Sequence, residues 1–173
     1  MKLILSLFLL WLAVFAAPVA AQNTCGAEMP SAPVLLNLKL GIAPAAARSV
    51  FGKDLKIKNK RKGEYTFFQN FIEKKAPDSL AGVRALYLRF FDGALYQIEI
   101  FYENSTTPAT LENFINLQSA KLNVPIEAWK IKYGIAEINC GDFSLAADNF
   151  LNPRLQLTDR ISLAKVEAKR EKD

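Results

Sequence analysis

Apolar and polar residues alternate most clearly between Val83 and Asn104, where two apolar, β-rich runs flank the dipeptide Asp92-Gly93. Aspartate followed by glycine is a strong hairpin signal, because both residue types tolerate the positive φ angles of a tight turn. We therefore predict a central hairpin over residues 83–104, around which the rest of the chain packs.

The register of this hairpin decides which side chains face the core. A two-residue turn would pair Phe91 with Ala94 and leave both sheet faces mixed in polarity. A three-residue loop, with Gly93 in the left-handed conformation, would pair Phe90 with Ala94 and separate the faces better. We predict this loop. Its apolar face then carries Leu86, Leu88, Phe90, Ala94, Tyr96, Ile98, Ile100 and Tyr102.

The opposite face of the hairpin is not purely polar. Aromatic, aliphatic and arginine side chains are interspersed there with carboxylates and amides. Such a mixture is typical of surfaces that contact other proteins. We predict a contact face formed by Tyr87, Arg89, Leu95 and Phe101.

The remaining strands follow from shorter alternating runs. The predicted strands cover residues 34–40, a basic run within 53–62, an aromatic run over 64–72, and the segments 133–140, 143–147 and 154–158. Together with the hairpin they favour a single antiparallel sheet of about six or seven strands.

Helical spacing predicts two main helices, over about 43–51 and 108–122, packed on one face of that sheet. In the second, Thr107 is the expected N-cap and Asn123 the left-handed stop. Helix-forming residues over 161–173 predict a C-terminal helix that continues into a charged tail. The expected fold class is α+β, with one domain over residues 34–160.

The first helix also carries a family resemblance. Gly41-Ile42, Ala47 and Phe51-Gly52 resemble the glycine and apolar helix signature of the BamE/SmpA family of outer-membrane assembly lipoproteins. The resemblance implies a helix-plus-antiparallel-sheet domain outside the cytoplasm that works by binding. The lipidated N-terminal cysteine of that family is not matched, because Gln22 and Thr24 replace the aliphatic and small residues expected before Cys25.

The first 21 residues predict a secretory signal peptide rather than part of the fold. The positively charged Lys2 precedes the apolar run 3–14, and small residues suited to a cleavage site occur up to Ala21. A transmembrane anchor is the alternative, but the run is short and no stop-transfer charges follow it. We expect an exported protein, periplasmic or secreted, which is soluble after cleavage and has no integral membrane segment. Residues 22–33 would form an extended arm.

The expected export affects the oxidation state that we predict for the two cysteines, Cys25 and Cys140. An oxidising compartment favours a disulfide between them, and we predict this pairing. The alternatives are two free thiols, or one buried cysteine and one exposed thiol.

Basic residues exceed acidic ones, 22 to 17, and concentrate in one run. This run offers a possible patch for anionic lipid or polysaccharide surfaces, formed by Lys56, Lys58, Lys60, Arg61 and Lys62. The alternative is a solvated edge strand whose lysines oppose aggregation. We expect no nucleic-acid partner, because the run lacks stacking aromatics and the protein is exported.

The chain contains no histidine, which excludes the usual Ser-His-Asp and Cys-His arrangements and histidine zinc sites. Its glycines form no phosphate loop or dinucleotide fingerprint. We expect a non-catalytic binding or scaffold protein with a protein partner in the envelope or outside the cell, and without a cofactor. The alternative is a carboxylate-dependent hydrolase. Its candidate acids are Glu28, Glu64, Asp78, Asp92, Glu99, Glu103, Asp142 and Asp148.

Asn104-Ser105-Thr106 is formally a glycosylation site, and its use depends on the organism.

Overall fold

A computed structural model describes residues 31–51, 56–61, 63–71, 76 and 78–172, with backbone alone for 56–61 and 79. The predicted signal peptide (1–21) and most of the arm (22–33) lie outside these residues. Within them, no helix is long and apolar enough to cross a membrane.

The described part of the chain forms eight strands and three α-helices. In chain order these are α1 (Pro44–Phe51), β1 (Lys56–Arg61), β2 (Glu64–Asn70), β3 (Val83–Phe91), β4 (Ala94–Tyr102), α2 (Leu111–Leu122), β5 (Lys130–Lys132), β6 (Ile135–Asn139), β7 (Phe143–Asp148), β8 (Arg154–Asp159) and α3 (Arg160–Arg170). Short 3₁₀ turns occur at Asp78–Leu80 and Ile126–Ala128.

All described strands belong to one antiparallel sheet in the order β1-β2-β3-β4-β8-β7-β6-β5. The predicted α+β fold with a single antiparallel sheet is therefore confirmed. The described strands number eight, against about six or seven expected, and the edge strand β5 was not predicted, because its three exposed residues lack a recognisable alternation. The hairpin β3–β4 lies near the middle of the sheet, as predicted.

One face of the sheet is covered by α1 and α2, as predicted. Ala47 of α1 and Phe114 of α2 are fully buried in the same cluster as Phe67, Phe90 and Phe143 of the strands. We call this side the covered face, and it contains the main core. Burial of these apolar side chains is the principal stabilising contribution to the fold.

The hairpin register differs from the predicted one. Phe91 pairs with Ala94 across a two-residue turn, in which Asp92 and Gly93 have φ angles of 48° and 80°. The three-residue loop is therefore wrong. Positive φ at both central residues defines the turn that best matches the twist of a hairpin, so local turn geometry determined the register.

A β-bulge shows how the two-residue turn still separates the faces. Phe90 pairs with Leu95, but Arg89 pairs with Gln97, so Tyr96 is an extra residue in β4. Leu95 consequently lies in the main core and Tyr96 on the opposite face, the reverse of the prediction. Between this bulge and a second irregularity at Val83/Ala85, the predicted and observed faces agree.

The segment predicted as a strand over 34–40 is a tight turn instead. Leu36 and Asn37 have positive φ angles, and Leu35 and Leu38 form two backbone hydrogen bonds with each other. Residues three apart in a strand point to opposite faces. The turn instead allows both Leu35 and Leu38 to be buried in the main core.

Helix α2 begins one turn later than predicted, at Leu111. Thr110 is its N-cap, with the side-chain oxygen accepting a hydrogen bond from Asn113 N at 3.3 Å. Thr107 donates to the carbonyl of Glu103 at 2.8 Å instead. The expected end is correct, because Asn123 adopts the left-handed conformation at φ 52°.

Helix α3 lies on the opposite side of the sheet from α1 and α2. Its Leu163 and Val166 pack with Phe91 and Tyr96 in a second, smaller cluster. The predicted C-terminal helix exists, and its position depends on Tyr96, which the bulge directs toward this side.

Candidate functional site: the open face of the sheet

The side of the sheet opposite the main core is only partly covered by the described residues. Helix α3 crosses one end of it, over Phe91 and Tyr96. The remainder, which we call the open face, comprises Phe68, Tyr87, Arg89, Gln97, Glu99, Phe101, Asp148, Arg154, Gln156 and Thr158.

Four charged side chains form a continuous chain across the open face. Arg89 Nη2 lies 3.0 Å from Glu99 Oε2, and Arg154 Nη1 lies 3.0 Å from Glu99 Oε1. Arg154 also contacts Asp148 Oδ2, through Nη2 at 2.5 Å and Nε at 2.6 Å. Two positive and two negative charges are therefore joined across four neighbouring strands, β3, β4, β8 and β7.

The carboxylates of this network are deeper than the guanidinium groups. The side chains of Glu99 and Asp148 are 8% and 7% exposed, while those of Arg89 and Arg154 are 31% and 30% exposed. Burial by itself lowers the pKa of Arg154, but hydrogen bonds and charge attraction from Asp148 and Glu99 raise it above the ordinary value. The arginines thus form the accessible layer of the network.

Neutral side chains extend the network toward α3. Gln97 accepts a hydrogen bond from Arg89 Nη1 and donates from Nε2 to Thr158 Oγ1 at 3.0 Å. Gln156 donates to the same hydroxyl at 3.2 Å. Among the described residues, no buried side-chain nitrogen or oxygen lacks a hydrogen-bond partner. Shared hydrogen bonds of this kind fix the side-chain positions.

A row of aromatic rings lies beside the charged network. The ring centroids of Phe68 and Tyr87 are 4.4 Å apart, and those of Tyr87 and Phe101 are 5.8 Å apart. Arg89 joins the row to the network, since its guanidinium carbon lies 5.7 Å from the Tyr87 ring centroid. The three rings are half-buried and remain partly accessible.

Helix α3 is anchored at the border of the open face. Arg170 donates to Glu64 from Nη2 at 2.5 Å and from Nε at 3.2 Å, and this hydrogen bonding raises the pKa of Arg170. Burial raises the pKa of the Tyr96 phenol, although the positive charges of Arg170 and Arg89 oppose the effect. The helix therefore forms a side wall at this end.

The predicted contact face is only partly assembled. Tyr87, Arg89 and Phe101 lie together on the open face, but Leu95 is 0% exposed in the main core. Its inclusion is wrong, because the bulge at Tyr96 turns Leu95 toward the covered face. Arg154 was not among the predicted contact residues. It begins β8 and alternates with the buried Leu155 and Leu157, a pattern that would have placed it on the face opposite the core.

Two of the candidate acids, Glu99 and Asp148, are brought together by Arg154. The others are dispersed: Glu64 pairs with Arg170, Asp92 occupies the hairpin turn, and Asp78, Glu103 and Asp142 are exposed. Glu28 lies outside the described residues. No group of three or more histidine, cysteine, aspartate or glutamate residues that could hold a metal occurs within the described ranges.

The predicted anion patch lies on β1, at the edge of the sheet. The structure describes only the backbone of Lys56, Lys58, Lys60 and Arg61, and Lys62 lies outside the described residues. The patch and its alternative, a lysine-rich edge strand, both stay predictions.

Cys140 is buried where β6 ends, and its backbone N donates to Phe143 O at 2.8 Å. Arg160 Nη1 donates to the Cys140 carbonyl at 2.7 Å. Cys25 lies outside the described residues, so the predicted Cys25–Cys140 disulfide stays a prediction.

No protein family, curated protein or solved structure matches this chain.

Proposed function

We propose that this protein is an exported, non-catalytic binding protein whose open face contacts a protein partner. The main support is the contact between Tyr87 and Arg89, which joins a partly exposed aromatic row to a fixed charged network. Tyrosine and arginine are the residues that most often dominate the energetics of protein interfaces. A pre-ordered surface loses little side-chain entropy when it binds.

The carboxylate-dependent hydrolase is the second candidate, because Glu99 and Asp148 lie in one network. Both carboxylates accept hydrogen bonds from Arg154, and Glu99 also contacts Arg89. This arrangement of three fixed ion pairs leaves neither a general acid nor a free base, so it supports binding more than hydrolysis.

Site-specific photo-crosslinking in the native host tests the proposal. A photoreactive phenylalanine analogue replaces Tyr87 or Phe101, and the matched control replaces Ile161, which is 56% exposed on α3. We expect both open-face positions to crosslink the same protein, and the Ile161 position not to do so. Equal crosslinking at all three positions, or none at the open face, would contradict the proposal.

Export is tested separately from binding. The intact mass of the native protein reports whether cleavage follows Ala21, and mass before and after thiol alkylation reports whether Cys25 and Cys140 are paired. Fractionation of the host then gives the compartment. An uncleaved chain recovered from the cytoplasm would contradict export while leaving the open-face contact testable.

A further inference from the structure

We infer that one end of the sheet is a membrane-docking tip, which inserts Tyr133, Phe150 and Leu151 into the interface of an anionic lipid bilayer. We call these three residues the apolar tip. They lie in the β5–β6 turn and the β7–β8 loop, which meet at the same end of the sheet. This surface is separate from the open face and does not depend on the proposed protein partner.

The apolar tip is unusually exposed for side chains of this kind. Tyr133 and Leu151 are each 86% exposed, and Phe150 is 65% exposed. The two loops touch, because a Cβ added to Gly134 would lie 2.9 Å from Phe150 Cε1. Single exposed apolar residues are common on proteins, but a cluster at adjoining loop ends indicates an interaction site.

Hydrogen bonds hold the β7–β8 loop in this outward arrangement. Asn149 Nδ2 donates to Ala109 O at 2.8 Å, and Asn104 Nδ2 donates to Leu151 O at 3.2 Å. The carbonyl of Pro153 accepts from Tyr102 N at 2.8 Å. Because the backbone of the loop is tied on both sides, Phe150 and Leu151 project outward without any rearrangement.

A second set of bonds fixes the polar part of the loop. Arg84 Nη1 donates to Asn152 Oδ1 at 2.7 Å. Asp148, the acid at the start of the loop, is paired with Arg154 at 2.5 Å. The polar groups around the apolar tip are therefore neutral amides and the Asp148 carboxylate, whose charge is paired with Arg154. Glu103 is exposed at the same end of the sheet.

Charge indicates the kind of surface that the tip contacts. Lys132 Nζ lies 5.1 Å from the Tyr133 ring centroid, which places a cation beside one residue of the apolar tip. A tyrosine ring with an adjacent lysine suits the boundary between headgroups and acyl chains. The formal net charge of +5 favours approach to an anionic surface.

The small area of the tip favours a bilayer over a second copy of the chain. Each aromatic side chain can bury about 150–250 Å². Two aromatic residues and one leucine therefore fall short of the roughly 800 Å² per partner that a stable protein interface needs. A bilayer interface requires no complementary protein surface, so three projecting side chains suffice for reversible docking.

Vesicle sedimentation with the full mature chain tests this inference. Vesicles of phosphatidylcholine are compared with and without phosphatidylglycerol, and we expect binding to the anionic vesicles. The double variant F150S/L151S should bind about a hundredfold more weakly, since each of the two buried side chains contributes about one factor of ten. The matched control Ile161→Ser replaces another exposed apolar residue, 56% exposed at the opposite end of the sheet, and should bind like the parent chain.

Insertion depth gives an independent readout. The variant Tyr133→Trp places an indole at the tip, and brominated phosphatidylcholine in anionic vesicles should quench its fluorescence. The parent chain supplies the control, because Trp129 is buried and donates to Ser119 Oγ at 2.7 Å. An indole at position 133 that vesicles neither shift nor quench would overturn the inference.

The same variants distinguish the apolar tip from two alternatives, which are vesicle binding by the basic strand and dimerisation of the chain. If a triple lysine-to-serine change at positions 56, 58 and 60 abolishes vesicle binding while F150S/L151S does not reduce it, the basic strand carries the binding and the inference is wrong. The inference is also wrong if the parent chain does not bind vesicles but forms dimers in analytical ultracentrifugation, and F150S/L151S abolishes these dimers. Circular dichroism melts verify that each variant is folded.

Discussion

Arg154 Nη1 lies 3.0 Å from Glu99 Oε1, and the two side chains occupy the middle of the open face. The same guanidinium reaches Asp148 on β7. One arginine therefore connects the central hairpin with the C-terminal strands through side chains as well as through the backbone ladder. This relationship makes the network sensitive to the loss of a single residue.

Replacing Arg154 with methionine should lower the free energy of unfolding by roughly 2–3 kcal/mol, because it leaves two nearly buried carboxylates with fewer partners. Urea unfolding measures the change. The matched control is Arg48→Met, since Arg48 is exposed on α1 and lies 5.1 Å from the Phe67 ring centroid on the other side of the sheet. If both variants lose the same stability, the network contributes nothing beyond a surface arginine.

The hairpin turn should be intolerant of a side chain at Gly93. Its φ of 80° disfavours other residues, and nothing lies within 4 Å of an added Cβ, so the cost is conformational alone. Gly93→Ala should destabilise the protein by about 1–2 kcal/mol, whereas Asp92→Asn should be neutral or slightly stabilising. Thermal melts of the two variants provide the comparison. A neutral Gly93→Ala would mean that residue 93 does not adopt a positive φ angle in solution.

Stability should fall at high pH because of Tyr102. Burial raises the pKa of its phenol from 10 to about 12, with an opposing hydrogen bond to Gln118. The folded state therefore favours the neutral phenol. This contribution is complete below pH 10 and is lost as the pH rises toward 12, by an amount on the order of 2–3 kcal/mol.

Urea midpoints between pH 8 and 12 test this dependence, and the control is Tyr102→Phe. The phenylalanine keeps the ring, which packs 5.6 Å from Phe114 by centroids, but cannot ionise. Its stability should decline less steeply across this range. Tyr96 contributes in the same direction, so some alkaline loss should persist. Identical slopes for the parent chain and the variant would exclude Tyr102 as the cause.

Helix α3 should depend on its N-cap. Asp159 Oδ1 accepts from Ser162 N at 2.9 Å, and Oδ2 accepts from Ser162 Oγ at 2.8 Å. Asp159→Ala should cost about 1 kcal/mol, and Asp159→Asn should retain most of the cap. Amide hydrogen exchange within 160–170 measures the local effect. Unchanged exchange in Asp159→Ala would show that packing on Tyr96 is sufficient to hold the helix.

The sequence predicts where the helices and strands lie better than it predicts which face of the sheet their side chains occupy. Hydrophobic patterns correctly located the hairpin, the two main helices and the C-terminal helix, whereas the N-cap of α2 is Thr110 instead of the predicted Thr107. The predicted register is wrong because the extra residue Tyr96 allows a two-residue turn to keep the two faces separate, and alternation patterns assume that no such insertion occurs. The side on which α3 packs was missed for the same reason.

The candidate site was predicted only where it lies within one hairpin. Tyr87, Arg89 and Phe101 share a face through local alternation. Arg154 and Asp148 join them only because β8 pairs with β4, an order that sequence periodicity does not specify. Long-range strand order, rather than residue type, is thus the missing information.

The extra residue in β4 has a consequence for how this chain can vary. Deleting the codon for Tyr96 would remove this bulge, leaving only the irregularity between Val83 and Ala85, but would also remove the ring against which Val166 packs. Adding a codon elsewhere in the strand would reverse Ile98 and Ile100 instead. Insertions and deletions in β4 should therefore be tolerated less well than substitutions. Homologous chains should conserve the number of residues in this strand more strictly than the identity of its side chains.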